Sequence, residues 1–136
     1  LPLICYEAVV ARDVNAAPAR PAFLMQLTND AGFGKGQGPL QHLAQARMRA
    51  IEQGLPMARV ANTGVSAMID PWGRITKSLA LNEAGFLDAP LPAPRPATPY
   101  SRWGEWPFLF ITLAGFALVI LRRRRNLKFD QRGRQS

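Results

Sequence analysis

The fold is decided by the first stretch of the chain, Leu1-Pro2-Leu3-Ile4-Cys5-Tyr6-Glu7. Apolar residues run straight into Cys5, and a tyrosine and a carboxylate follow at once. An apolar run that stops at polar residues is typical of a buried strand ending at the edge of a sheet. Catalytic groups gather at the carboxyl ends of strands in α/β sheets, so this position makes Cys5 a candidate nucleophile. The alternative is a small buried hydrophobic residue, since free cysteine is among the most buried residue types.

The length and the cysteine content limit what the chain can be. It has 136 residues and begins without methionine, inside this predicted strand. We therefore expect a fragment or a processed product, with enough chain for one small domain at most. A single cysteine excludes an internal disulfide bond, and one cysteine with one histidine is too few for a zinc site. We predict neither a metal nor a cofactor.

Two more strands with polar ends follow. Residues 23–28 form an apolar run that ends at Asn29 and Asp30, and residues 57–62 end in the same way. About fifteen residues separate the opening strand from the second, which suits a crossover connection and parallel pairing. The alanine-rich residues 8–21 predict a short helix or loop in that connection.

A glycine-rich loop and a helix lie between those two strands. Glycine occupies every second position over residues 32–38, which predicts either a flexible connection or a mobile lid beside the end of the Cys5 strand. Residues 39–53 predict a helix, because proline suits its first turn and glycine its end. Arg49 and Glu52 are spaced to pair, and His42 is expected to be structural or solvated rather than catalytic. An apolar stripe can form on this helix from Leu40, Leu43, Ala44, Met48 and Ile51.

A hairpin completes the body of the chain. Residues 65–70 predict a fourth strand, Asp70-Pro71-Trp72-Gly73 is a strong turn signal, and residues 74–79 alternate polar and apolar positions. This order of strands and helix predicts part of a layered α/β fold.

The composition changes at Pro90. Five prolines over residues 90–99 predict a semi-rigid extended spacer. Aromatic residues follow, and residues 107–121 carry no charge and are apolar on all sides. Such a stretch is either a buried core helix or a membrane span. The aromatic flank before it and the four arginines after it favour the span.

Most of the formal net charge of +8 lies behind that span. The body before residue 122 holds ten basic and eight acidic residues, whereas the last fifteen residues hold seven basic ones. An arginine block can bind nucleic acid, but beside a hydrophobic span it is better explained as a topology signal and lipid anchor. We therefore predict a cytoplasmic tail, a body on the opposite side of the membrane, and no nucleic-acid partner.

Five stretches of this sequence, residues 3–7, 27–30 with 33–34, 41–52, 61–66 and 69–74, together resemble the C-terminal part of the apolipoprotein N-acyltransferases. These enzymes are a branch of the nitrilase-like carbon-nitrogen hydrolase superfamily. The resemblance covers residues 1–87, and the basic tail and final span stand where that family has them. The Cys-Tyr-Glu strand end by itself would indicate only the wider superfamily.

The resemblance implies a fold and a set of site residues. The fold is an α-β-β-α sandwich, partly formed by residues 1–89, then a linker with interfacial aromatics at 90–105, one transmembrane helix at 106–121 and a basic tail at 122–136. Cys5 would be the nucleophile. The supporting residues would be Tyr6 and Glu7, and the substrate loop would contain Asn29, Asp30, Phe33 and Gly34. Gly32 departs from the family, which usually has a tryptophan in this loop.

The same resemblance implies an activity in the bacterial inner membrane, with the body periplasmic. A fatty acyl group would pass from a phospholipid, through a cysteine thioester, to the N-terminal amine of a diacylated apolipoprotein. The family's catalytic glutamate and lysine lie upstream of the cysteine, and only four residues precede Cys5 here. Two alternatives therefore stay open. One is a soluble nitrilase-like amidase, against which the apolar span argues, and the other is a non-catalytic membrane-anchored remnant.

Overall fold

A computed structural model describes residues 1–34 and 36–133 of the chain, with side chains placed as far as residue 123. The chain divides into two compact units, of which the first is Leu1–Arg102 and the second begins at Trp103. Each is described by itself.

The first unit is built on a mixed sheet of five strands that pair in chain order. The strands are β1 (Pro2–Ile4), β2 (Leu24–Asn29), β3 (Met57–Asn62), β4 (Ser66–Ile69) and β5 (Ile75–Leu79). The first three are parallel, while β4 and β5 each run antiparallel to the preceding strand. The predicted strands, the parallel pairing and the hairpin are confirmed, each strand within about two residues of its expected bounds.

Helical segments connect these strands. One 3-10 turn, Cys5–Ala8, follows β1 directly, and a second, Asp30–Phe33, follows β2. The α-helices of this region are α1 (Ala11–Asn15) and α2 (Gly38–Gln53). Helix α2 begins with proline near its start and ends at Gly54, whose φ of +62° is the left-handed conformation that suits a helix C-terminus. The predicted helix is therefore confirmed at both ends.

The core lies between α2 and one face of the sheet. Leu24, Met57 and Ile69 from the sheet are fully buried, as are Ala46 and Ala50 from the helix. On the opposite face of the sheet, three apolar side chains at paired positions of neighbouring strands stay partly exposed: Ile4, Leu27 and Val60. An apolar face of this kind suits packing against a second sheet, as in an α-β-β-α sandwich.

The apolar stripe on α2 was predicted from the wrong residues. Of its five members only Leu43 is buried, whereas Leu40, Met48 and Ile51 are 46%, 49% and 41% exposed. The buried face of the helix is formed instead by Pro39, His42, Leu43, Ala46, Ala50 and Gln53. The buried face differs from the predicted one because of a polar side chain. The helix is turned so that His42 reaches hydrogen-bond partners in the sheet, and two alanines allow the helix to approach the sheet closely.

The proline-rich segment has no regular secondary structure over residues 90–98, and it lies along the C-terminal end of α2. The Arg95 amide donates to the Gly54 carbonyl at 2.9 Å, and the Thr98 hydroxyl donates to the Glu52 carbonyl. Arg20 reinforces this contact, because its Nη2 donates to the Arg95 carbonyl at 2.7 Å and to the Gln53 carbonyl at 3.0 Å. The division of the chain at residues 89 and 105 stays a prediction.

Two more helices follow, α3 (Pro99–Trp103) and α4 (Trp106–Gly133). Residues 106–123 of α4 have a mean hydropathy of 1.5, and none of them is buried. This helix is long and apolar enough to cross a membrane, by length and composition. It continues past residue 121 into the basic segment, whose side chains from residue 124 onward lie outside the described residues.

Candidate active site

Cys5 occupies the junction between β1 and the 3-10 turn, as the sequence predicted. Its φ of +49° lies in the left-handed region, which is uncommon for a residue other than glycine. Residues held in such conformations cluster at functional sites. The residue is partly exposed. Position, conformation and exposure therefore all suit a nucleophile.

Glu7 stabilises this turn rather than facing a partner across the site. Its Oε2 accepts a hydrogen bond from the Ile4 backbone amide at 2.5 Å, three residues back along the chain. The carboxylate thereby satisfies a backbone donor at the point where the strand ends and the turn begins. The structure thus gives the predicted supporting residue a positional contact.

Three aromatic rings pack against one another beside the Cys5 turn. Tyr6 stacks on His42 with ring centroids 6.1 Å apart, and Phe33 meets the same imidazole edge-on at 5.3 Å. Tyr6 and Phe33 are themselves 6.2 Å apart. The turn after β2, which carries the predicted loop residue Phe33, is thereby brought against the turn that carries Cys5.

Asp30 was expected in a substrate loop, and its side chain is completely buried. Its Oδ1 accepts from His42 Nδ1 at 2.9 Å and from the Thr28 hydroxyl at 3.2 Å. Its Oδ2 accepts from Arg59 Nη2 at 2.6 Å. Both oxygens therefore accept hydrogen bonds from groups of this chain. The Asp30 side chain thus supports the site from beneath and is not exposed to a ligand.

Gln26 links this buried cluster to the candidate nucleophile. Its Nε2 donates to the Cys5 carbonyl at 3.2 Å and lies 3.1 Å from His42 Nε2. Its Oε1 accepts from Arg59 Nη1. Because the amide nitrogen is a donor, His42 Nε2 must be the acceptor, and the ring proton then sits on Nδ1 and faces Asp30. The imidazole is thus buried between Gln26 and Asp30, and its structural rather than catalytic role stays a prediction.

The electrostatics of this cluster centre on Arg59. Burial lowers the pKa of Arg59 because the charged guanidinium loses its water, while the charge of Asp30, a hydrogen bond to Asp30 and the charge of Cys5 oppose that shift. A buried charge is tolerated when it is paired and fully hydrogen-bonded. Arg59 meets that condition, since its Nε also donates to the Val65 carbonyl at 3.2 Å.

Two neighbours shape the edge of the sheet around Asp30. Asn29 Oδ1 accepts from the Ala31 amide at 3.1 Å and from Asn62 Nδ2 at 3.2 Å, which ties the ends of β2 and β3 together. Gly64 passes so close to Asp30 that an added Cβ would lie 2.1 Å from its Oδ2. Glycine is therefore required there by space.

The predicted site residues meet only in part. Cys5, Tyr6, Glu7 and Phe33 come together with Asp30 beneath them, whereas the substrate-loop role of Asn29 and Gly34 stays a prediction. Gln26, His42 and Arg59 were not predicted as site residues. For Gln26 and Arg59, the signal in the sequence was a polar residue at an inward-facing position of an otherwise apolar strand. Within the described residues, no group of three or more His, Cys, Asp or Glu side chains could hold a metal ion.

Comparison with known proteins identifies the family of the chain. The carbon-nitrogen hydrolase family profile matches residues 2–96. The apolipoprotein N-acyltransferase of Rhodopseudomonas palustris is 54% identical over 124 residues, which are 91% of this chain and 23% of that protein. The enzyme of the same name from Bradyrhizobium diazoefficiens is 52% identical over 123 residues, 90% of this chain and 23% of that protein. The chain thus spans about a quarter of the length of these curated relatives.

Among solved structures, an amidase from Nesterenkonia sp. AN1, with an acetamide moiety added covalently at its active-site cysteine, is 26% identical. The match covers 59% of this chain and 33% of that one, with a TM-score of 0.48.

Proposed function

Because the chain belongs to the carbon-nitrogen hydrolase family, we propose that Cys5 is the nucleophile of an acyl transfer from phospholipid to the N-terminal amine of an apolipoprotein. The observation that carries the proposal is the position of Cys5. It sits, partly exposed and in a left-handed conformation, at the carboxyl end of a parallel strand above a buried polar cluster. The proposal concerns the whole protein, of which relatives of this name are about four times as long as the matched part.

The chemistry consists of two displacements. The Cys5 thiolate attacks the carbonyl carbon of a phospholipid ester, a thioester forms, and the lysophospholipid leaves as an alcohol after taking a proton. The acceptor amine then attacks the thioester, an amide forms, and the thiol is released with the proton that the amine loses. A thioester acylates an amine readily, provided that water is kept away from it.

Membrane placement belongs to the same proposal. Helix α4 can cross a membrane by length and composition. We propose that the first unit lies on the periplasmic side and the basic segment on the cytoplasmic side, since arginines beside a span stay in the cytoplasm. Both substrates would then reach Cys5 from the membrane surface.

The test is to incubate the full-length protein with a phospholipid that carries a labelled acyl chain, and to look for label on the peptide containing Cys5. We expect a hydroxylamine-sensitive adduct, and no adduct or acyl transfer with Cys5→Ser, because an alcohol needs a stronger base than a thiol. Wild-type-like transfer by Cys5→Ser would remove Cys5 from the mechanism. Hydrolysis of simple amides without any phospholipid adduct would favour the amidase alternative.

A further inference from the structure

The outer face of α2 and the turn between β4 and β5 form a surface that the core does not use. We propose that this docking surface lies on the anionic headgroups of the lipid bilayer. The inference rests on the proposed membrane placement of α4, and it does not depend on the role of Cys5. Four exposed apolar side chains and three exposed arginines form the docking surface: Leu40, Met48, Ile51, Trp72, Arg47, Arg74 and Arg95.

The apolar part of the docking surface begins as a stripe along α2. At 100° per residue, Leu40, Met48 and Ile51 lie within about 80° of one another around the helix axis. All three are exposed, whereas the other side of the helix is buried against the sheet. In an α-β-β-α sandwich the outer side of a helix faces away from both sheets, so a second sheet does not cover this stripe. A continuous exposed apolar surface of this kind marks an interaction site.

Trp72 continues the stripe from the helix onto the turn. Arg47 Nε donates to the Gly73 carbonyl at 2.7 Å, and a Cβ added at Gly73 would lie 2.6 Å from Ile51 Cδ1. The turn is therefore packed on α2, yet the Trp72 side chain remains 53% exposed. Tryptophan is enriched at the membrane–water interface, because its ring is apolar and its N–H group is polar.

The charge of the docking surface complements an anionic lipid headgroup. The Cζ atoms of Arg74 and Arg95 lie 5.0 and 4.9 Å from the centroid of the Trp72 ring. Arg74 pairs with Asp70 at 2.6 Å, and its side chain is still 71% exposed. Within the described residues, neither Arg47 nor Arg95 forms an ion pair with a carboxylate. Arginine binds phosphate through several N–H groups at once, so these cations suit phospholipid phosphates beside a tryptophan at the interface.

The length of the chain also favours a membrane as the partner. The Thr98 hydroxyl donates to the Glu52 carbonyl near the C-terminal end of α2, and α4 begins eight positions after Thr98, at Trp106. Eight residues reach at most about 28 Å. With α4 across the bilayer as proposed, this connection keeps the C-terminal end of α2 near the headgroups. The Arg95 amide is bound at that same end, through the Gly54 carbonyl at 2.9 Å.

The test is hydroxyl-radical footprinting of the full-length protein in lipid vesicles. One set of vesicles contains phosphatidylcholine alone, and the other also contains a dialkyl-ether phosphatidylglycerol, which is anionic but has no acyl ester to transfer. Mass spectrometry then gives the oxidation of Trp72 and Met48 relative to that of Phe86, which follows β5 and is 86% exposed. We expect the anionic vesicles to protect Trp72 and Met48, and the neutral vesicles to leave both open to oxidation.

Two variants test whether the arginines provide the selectivity. Arg95→Gln keeps the backbone contact to Gly54 but removes one cation, which should lower the ratio of docked to undocked protein about fivefold. Lys77→Gln is the matched control. Lys77 is paired with Met68, between the inward-facing Ala67 and Ile69, so it projects from the sheet face opposite α2 and its loss should change nothing. Salt at 1 M should also remove the protection, since the Debye length is then about 3 Å.

The outcomes separate docking from membrane placement and from catalysis. Protection that needs anionic lipid, and that weakens with Arg95→Gln or with salt but not with Lys77→Gln, supports the proposal; the salt series alone decides it if Arg95→Gln does not fold. Equal protection in neutral vesicles and in detergent micelles would mean that protein covers this surface, and would overturn it, as would exposure in every lipid. Protein that does not float with the vesicles refutes the membrane placement as well, whereas flotation without protection refutes docking alone. The acyl adduct on Cys5 is measured separately and is unaffected by either result.

Discussion

The sharpest prediction for stability concerns Gly64→Ala. Gly64 crosses directly over Asp30, and a Cβ at this position would lie 2.1 Å from Asp30 Oδ2, 2.7 Å from its Cγ and 2.9 Å from the Cβ of Ala61. Real Cβ atoms do not approach other atoms this closely, so something must move. Ala61 belongs to the backbone-paired strand β3, which leaves the Asp30 carboxylate as the group that is displaced.

The cost can be worked from the contacts that Asp30 would lose. Its Oδ2 holds Arg59 at 2.6 Å, and both side chains are completely buried. Breaking a buried ion pair while its charges remain costs about 3–5 kcal/mol, because the uncompensated charge stays out of water. A domain is stable by only about 5–15 kcal/mol, so this single methyl group should remove a large part of the stability of the first unit.

The matched control is Gly32→Ala, two residues beyond Asp30. An added Cβ at Gly32 would meet nothing within 4 Å, so the substitution should change the free energy of unfolding by about 0.5 kcal/mol or less. Urea unfolding of the two variants is followed by the fluorescence of Trp72, in a background with Trp103→Phe and Trp106→Phe, because Trp72 reports on the first unit. Equal midpoints for Gly64→Ala and Gly32→Ala would refute the claim that Gly64 is required by space.

Two further predictions concern the turn and the membrane. Asp70→Asn should destabilise the first unit by about 1–3 kcal/mol at neutral pH, because the charged Oδ1 of Asp70 accepts from the amides of Trp72 and Arg74 more strongly than the neutral Oδ1 of asparagine would, whereas the exposed Arg74 side chain adds little. Burial raises the pKa of Asp70, but these hydrogen bonds more than reverse that and hold it below its usual value. The deficit of Asp70→Asn should therefore be full above about pH 4 and shrink as the pH falls through the folded pKa; a deficit that grows in acid would contradict this. Reporter fusions after Ser136 should be active only as cytoplasmic reporters, and a periplasmic signal there would reverse the orientation.

The strand positions could be predicted from the sequence because an apolar run indicates a buried strand and the polar residues after it indicate where that strand ends. β1, β2 and β3 each end where the sequence turns polar, and parallel pairing followed from the length of the connection between β1 and β2. The bounds of α2 were equally accessible, since proline and glycine act locally on the backbone at its two ends. Such features depend on residues adjacent in the chain.

The face of α2 could not be predicted in the same way. A search for apolar periodicity selects Leu40, Met48 and Ile51, and it cannot register that a histidine is needed on the inner face. That need arises from Asp30 and Gln26, which are distant in sequence and meet His42 only after folding. For the same reason Asp30 was expected in a substrate loop, whereas its side chain is completely buried.

The buried cluster makes core stability and thiol reactivity depend on the same contacts. Asp30 and Gln26 attach α2 to the sheet through His42, and the same two side chains bind Arg59. Replacing a buried ion pair by apolar residues is often neutral or stabilising, so packing by itself does not call for Asp30 and Arg59 at these positions. Through Arg59 this pair also holds Gln26, whose amide donates to the Cys5 carbonyl, which an apolar core could not do. It follows that substitutions which loosen α2 from the sheet, even on the side away from Cys5, should change the reactivity of Cys5 as well as the stability of the first unit.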